Sequence, residues 1–192
     1  KVPPGRAQLC LGNHVFSACA LFRPLSELGV GEGAELSFVR RAAAGTMEII
    51  PVDGVHRGAT KWISGIAVQT RIYFAPMDAP CILCFDAASG CARGIPTDSV
   101  HQGSFKWADG AAVNGGVFWA PRRAPGILWL DTATGLARCV RTDHIHRADP
   151  AGEGSWYGAV AVGDRIFFAP LDAPCVLELH AGTRQLRSWS TE

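Results

Sequence analysis

The chain has no run of about 18 consecutive apolar residues, which removes a membrane-spanning helix from its options. It also lacks an excess of charge of either sign. Its 18 Lys and Arg stand against 17 Asp and Glu, and a formal net charge of +1 gives no electrostatic basis for binding nucleic acid or an anionic membrane. An initiator methionine is missing, and the opening "KVPPGRAQLC" has no basic stretch followed by an apolar core. No secretory signal is therefore read here, and the chain reads as the interior of a longer product. Evenly paired cysteines are missing as well: there are seven, Cys10, Cys19, Cys81, Cys84, Cys91, Cys139 and Cys175, scattered along the sequence. An odd, scattered set without a signal segment points to reduced thiols and a cytoplasmic or nuclear protein.

What the chain does have is a repeat. "IYFAPMDAPCILCFD" returns as "VFWAPRRAPGILWLD" and again as "IFFAPLDAPCVLELH". Trp62, Trp107 and Trp156 lie 45 and 49 residues apart (107 − 62 and 156 − 107), and Pro76, Pro121 and Pro170 keep the same two spacings. Four extra residues thus sit between the second and third copies, within "HRADPAGEGSW". A loop tolerates such an insertion and a strand does not.

Each copy reads as four short strands. The first follows the Trp ("GIAV", "GAAV", "AVAV"), and a tight turn comes next, with "NGG" at Asn114 and "GD" at Gly163 suited to positive φ. The second strand is "RIYFA", "GVFWA" or "RIFFA", and the third is "ILCFD", "ILWLD" or "VLELH". These two are apolar on both faces, as burial between neighbouring sheets requires. The fourth carries Arg93, Pro96, Arg138 and Arg141 and reads as an outer edge. Cys81 and Cys84 form a C-x-x-C inside the third strand, where side chains three apart point to opposite faces. The other copies have Gly126 and Trp129, then Cys175 and Glu178, in their place, so no metal site and no cofactor is assigned to them.

Four antiparallel strands repeated every 45 to 50 residues are the pattern of a β-propeller blade. The unit resembles the kelch and YVTN-like blade families, the latter through "YFAP" and "ILCFDAASG". The expected fold is mainly β, a partial propeller over residues 47–192 with blades near 61–98, 106–143 and 155–192. "MEIIPVD" matches the fourth strand "RGIPTD", so the array is expected to begin with the outer strand of an earlier blade. A single blade cannot bury its own faces, so each copy covers its neighbour. Closed propellers typically hold about 4 to 8 blades, so two three-bladed chains closing a six-bladed ring as a homodimer is one expected assembly.

Two loop motifs recur with the strands. "DGVH" (Asp53, His56), "DSVH" (Asp98, His101) and "DHIH" (Asp143, His146) precede Trp62, Trp107 and Trp156. Three imidazoles are a known zinc set, but equivalent positions on adjacent blades are too far apart to approach one ion. The motif resembles the Asp, His and Trp network of WD40 blades, which implies a structural role with the carboxylate fixing the imidazole. The "AP" loops share that face and differ at their tips: Met77 and Asp78, Arg122 and Arg123, Leu171 and Asp172. Variable tips on a rigid scaffold are the candidate binding surface, suited to a polar protein or peptide.

Residues 1–42 are different in kind, with a linker at 43–46. "VPPGRAQLCLGN", "PLSELGV" and "AELSFVRR" occur in an order that resembles the second half of ubiquitin and of embedded ubiquitin-like domains. The resemblance implies part of a β-grasp fold, with Cys10 and Val39 at the receptor-patch positions. His14 stands at the principal chain-linking lysine, and "RRAAAGT" replaces the terminal diglycine. The leading expectation is a non-enzymatic interaction scaffold with a protein partner, linked to the ubiquitin system. The alternatives are a propeller-fold hydrolase or lyase using a His or Asp near the ring axis, and a fragment without activity of its own.

Overall fold

The computed structural model describes residues 49–149 and 151–191 in full, and three earlier strands in their backbone pairing: β1 (Ala7–Leu11), β2 (His14–Phe16) and β3 (Ser37–Arg40). These three pair antiparallel in the order β2-β1-β3, with Cys10 opposite Ser37 and Gln8 opposite Val39. What Cys10, His14 and Val39 do with their side chains lies outside the described residues, as does the segment 43–46.

The repeats form three four-stranded antiparallel sheets. The first blade holds β4 (Trp62–Val68), β5 (Arg71–Pro76), β6 (Cys81–Asp86) and β7 (Cys91–Pro96). The second holds β8 (Trp107–Val113), β9 (Gly116–Pro121), β10 (Gly126–Asp131) and β11 (Ala137–Arg141). The third holds β12 (Trp156–Val162), β13 (Arg165–Pro170), β14 (Cys175–His180) and β15 (Leu186–Ser190). Within each sheet the strands follow chain order. Asn114 and Gly115 take φ of 49° and 74° at the β8–β9 hairpin, the primed turn that "NGG" calls for.

Neighbouring sheets meet at their first strands, β4 against β8 and β8 against β12, so the fourth strands lie outermost, as an edge rich in Arg and Pro requires. Each first strand bulges just past its Trp, between Ile63 and Gly65, Trp107 and Gly110, and Trp156 and Ala159. The bulge re-aims the strand and adds twist where the blades converge.

Two layers of side chains lie between the blades. Tyr73, Ala75, Ile82, Cys84 and Ile95 on the forward face of the first blade meet Trp107, Val117, Trp119, Leu128 and Leu130 on the rear face of the second. Ala111, Val113, Phe118, Ala120 and Ile127 on the second blade's forward face meet Trp156, Ile166, Phe168, Leu177 and Leu179 on the third. Tyr73, Ala75 and Ile82 correspond to Phe118, Ala120 and Ile127 at the 45-residue spacing, so these repeat positions supply the same kind of contact in both joints.

The expected outer strand at 47–53 is absent from its described residues, 49–53. The described part, from residue 49 to 61, contains no strand, and Ile49 is 87% exposed. A lone edge segment has no ladder to complete, and the chain turns instead, with the amides of Val55 and His56 donating to the carbonyl of Val52 at 2.9 and 3.2 Å. The cysteines are not all thiols either: Cys91 is disulfide-bonded, while Cys81, Cys84, Cys139 and Cys175 are free.

Candidate binding face

The D-x-x-H and AP loops are built by one hydrogen-bond pattern used three times. The carbonyls of Val52, Thr97 and Thr142 each close a turn by accepting from the residue before the His and from the His itself, at 2.8 to 3.2 Å. Thr97 and Thr142 fasten that turn to the AP loop, their amides donating to Pro80 and Pro125 at 2.8 and 3.0 Å. Thr191 repeats the contact to Pro174 with both its amide and its hydroxyl. These prolines thus serve as acceptors, which explains a proline at a position where no donor is needed.

The indole of each blade Trp donates to a main-chain carbonyl at the start of the third strand: Trp62 to Cys81 at 2.7 Å, Trp107 to Gly126 at 2.9 Å and Trp156 to Cys175 at 3.0 Å. His56, His101 and His146 each meet that Trp ring edge-on, with centroids 6.2, 6.0 and 5.8 Å apart. The carboxylates do not hold the imidazoles. Asp53 pairs with Lys61 at 3.2 Å, Asp143 pairs with Arg141, and Asp98 is exposed. Each His therefore stays with its own blade, and among the described residues no group of three or more His, Cys, Asp or Glu side chains is placed to hold a metal ion.

The loop tips are more occupied than their exposure in a single repeat implies. Met77 is buried, and the Asp78 carboxylate accepts from the amide of Phe105 at 2.7 Å across the first joint. Arg122 crosses the second joint, donating to the carbonyl of Glu153 at 2.7 Å and to its carboxylate at 3.0 Å, with its guanidinium over Phe105 and Tyr157. Arg123 donates to the carbonyl of Gly152 at 2.7 Å and remains exposed. Leu171 and Asp172, on the third blade, are exposed.

On the loop face of the second blade lies an open pocket of about 270 Å³, lined in part by His101, Arg123, Arg141, Asp143, His146 and Arg147. Three guanidinium groups face one carboxylate, so the lining carries excess positive charge. Nε2 of His146 is buried without a partner among the described residues. Burial holds the pKa of His101 below its usual value, and the cations Lys106 and Arg141 push it the same way. The arrangement can accept an anionic group.

The motifs give no hint of a second polar pair. Ser64 donates its hydroxyl to the carboxylate of Asp109 at 2.5 Å, joining the bulges of β4 and β8 where the blades converge. The signal was an Asp in "ADGAAV" where the neighbouring copies have Ser and Gly.

No protein-family model matches the chain, and no curated protein sequence matches it. In structure it is similar to virginiamycin B lyase from Staphylococcus aureus, with a TM-score of 0.54 and 9% identity over 85% of this chain and 47% of that one. The extracellular domain of a hybrid two component system from B. thetaiotaomicron aligns over 83% of this chain and 21% of its own, at a TM-score of 0.48 and 14% identity. The chain spans about half the length of the first and about a fifth of the second. An identity of 9% speaks for the fold alone, and the likeness to the lyase together with the three sheets establishes it: the described repeats are blades of a partial β-propeller.

Proposed function

We propose that this chain is a non-enzymatic protein-interaction scaffold whose loop face takes an acidic segment of a protein partner. The observation that carries this is the pocket where Arg123, Arg141 and Arg147 converge with His101 and His146 on hydrogen-bonded loops. Guanidinium groups suit carboxylates because their donors match a carboxylate's two oxygens. The hydroxyl of Ser64 is engaged by the carboxylate of Asp109, which supports reading that pair as a structural tie between β4 and β8. The stretch at 1–42 acts in the same proposal as an embedded ubiquitin-like module that docks to the ubiquitin machinery through the strands bearing Cys10 and Val39.

The test is fluorescence anisotropy with a labelled Glu-rich peptide and its Gln-substituted twin. Binding of the acidic peptide alone, weakened by added salt and by Arg123→Glu with Arg147→Glu, is the expected result. Equal binding of both peptides, or of neither, overturns it. Arg122 is left unchanged because it holds the second joint together.

A further inference from the structure

The two joints inside the chain follow a pairing rule. Where the forward AP loop carries Asp78, the blade that follows enters through "FKW": Phe105 donates to Asp78, and the Lys106 amide donates to the carbonyl of Met77 at 3.1 Å. Where the forward loop carries Arg122, the following blade enters through "EGSW". There Arg122 pairs with Glu153, and the Ser155 amide donates to the Arg122 carbonyl at 2.7 Å. The acidic loop of the first blade meets a lysine entry, and the arginine loop of the second meets an acidic entry.

Two halves of a joint are left over. The third blade presents "LDAP", with Leu171 and Asp172 at the positions of Met77 and Asp78. The first blade presents "TKW", with Thr60 and Lys61 at the positions of Phe105 and Lys106. Neither the Leu171 carbonyl nor the Lys61 amide has a hydrogen-bond partner among the described residues, although the equivalent groups bond to each other in both internal joints.

The apolar faces agree with the loops. Val160 and Val162 occupy the positions of the buried Ala111 and Val113, yet they are 58% and 55% exposed, and Trp189, at the position of Val140, is 52% exposed. On the rear of the first blade Trp62, Ile72, Phe74 and Phe85 are half-buried, while their counterparts Trp107, Val117, Trp119 and Leu130 are fully buried.

We infer that the forward face of the third blade seats the rear face of the first blade of a second copy, head to tail. The Lys61 amide donates to the Leu171 carbonyl, and Lys61 lies against the Asp172 loop. The residue types at the joint are those of the first internal joint, an Asp loop tip, a lysine and a Trp behind it; within one copy the Asp172 carboxylate accepts from the amide of Gly154 at 2.9 Å and Lys61 pairs with Asp53 at 3.2 Å, so both side chains re-pair on docking. A head-to-tail contact of this kind either closes on itself as a ring or runs on as a chain of copies.

Sedimentation of the full 192-residue chain over a range of concentrations tests this. The expected species is twice the 20.4 kDa chain mass; a ladder of higher multiples would equally show the joint, unclosed. Val160→Glu, at an already exposed position, should leave circular dichroism unchanged and weaken assembly by at least about tenfold, since a charge would then be buried without a partner. Asp172→Lys and Lys61→Glu, which also give up the contacts to Gly154 and Asp53, should each weaken assembly alone, and mixing the two variants should restore it, because each then offers what the other lacks. A wild-type chain that stays at 20.4 kDa throughout, or an assembly indifferent to all three substitutions, overturns the inference.

Discussion

Lys106 donates its ammonium to the carbonyl of Ala79 at 2.9 Å, across the joint between the first two blades, and it does so at 2% exposure. Its other acceptor is the carbonyl of Gly103 at 3.1 Å. Burial lowers its pKa from the ordinary lysine value, with Asp78 and Asp98 drawing it partly back. A buried ammonium persists only when its donors are used, so this side chain acts as a clamp between blades.

Lys106→Met should therefore destabilise the chain although it removes a buried charge. The apolar stem is kept, but two carbonyls lose their donor. Leaving such groups unpaired costs about 1 to 3 kcal/mol. A urea titration followed by tryptophan fluorescence should show a lower midpoint with little change in slope. An unchanged midpoint would mean that water takes over both carbonyls.

The three tryptophans should not be equivalent. Trp107 and Trp156 are fully buried because a preceding blade covers them, whereas Trp62 is half-buried. Trp107→Phe leaves the Gly126 carbonyl without its donor in a dry joint and should cost about 1 to 3 kcal/mol beyond the lost volume. Trp62→Phe should cost less, since water can reach the Cys81 carbonyl. The comparison is made by thermal melts in dilute solution, where copies do not associate, and equal losses would contradict it.

Spacing carried the architecture well, because a blade must bury both faces and that demand writes itself into every copy. The strand positions, the outer fourth strand and the "NGG" turn were all legible for this reason. The loops were less so. Asp beside His suggested a carboxylate holding an imidazole, yet Asp53 and Asp143 turn to Lys61 and Arg141, which the pattern could not rank as nearer partners. The variation at Met77–Asp78 against Arg122–Arg123 resembled free loop tips. It is better explained by the inserted segment at 147–155, whose Glu153 and Gly152 receive the two arginines. The outer strand expected at 47–53 is absent from the described residues 49–53 because a matching sequence has no ladder there to join.

His101 makes stability depend on pH in a definite direction. Burial and the nearby cations Lys106 and Arg141 lower its folded pKa below the usual 6.5, so the unfolded chain takes up a proton first as the pH falls. This contribution to stability is intact above 6.5 and is lost as pH falls through the lowered folded value. His101→Phe keeps a ring against Trp107 and removes the titration, so its denaturation midpoint should fall less than that of the wild type between about pH 7 and about pH 5. Parallel curves would show that another group sets the acid limb.

Gly126 tests how closely neighbouring copies compensate. The first blade has Cys81 on its third strand and Gly94 on its fourth, and a Cβ at Gly94 would press on the Cys81 sulfur. The second blade has the reverse, Gly126 on the third strand and Cys139 on the fourth, and a Cβ at Gly126 would collide with the Val140 carbonyl and the Cys139 sulfur. Each pair of positions holds one sulfur. Gly126→Ala should therefore overpack the second blade and cost about 1 to 3 kcal/mol. Adding Cys139→Gly should recover part of this loss by freeing the sulfur's space, while the contact with the Val140 backbone keeps the recovery incomplete. A double-mutant cycle on urea midpoints measures the coupling, and strictly additive losses would mean that the two sites do not share one space.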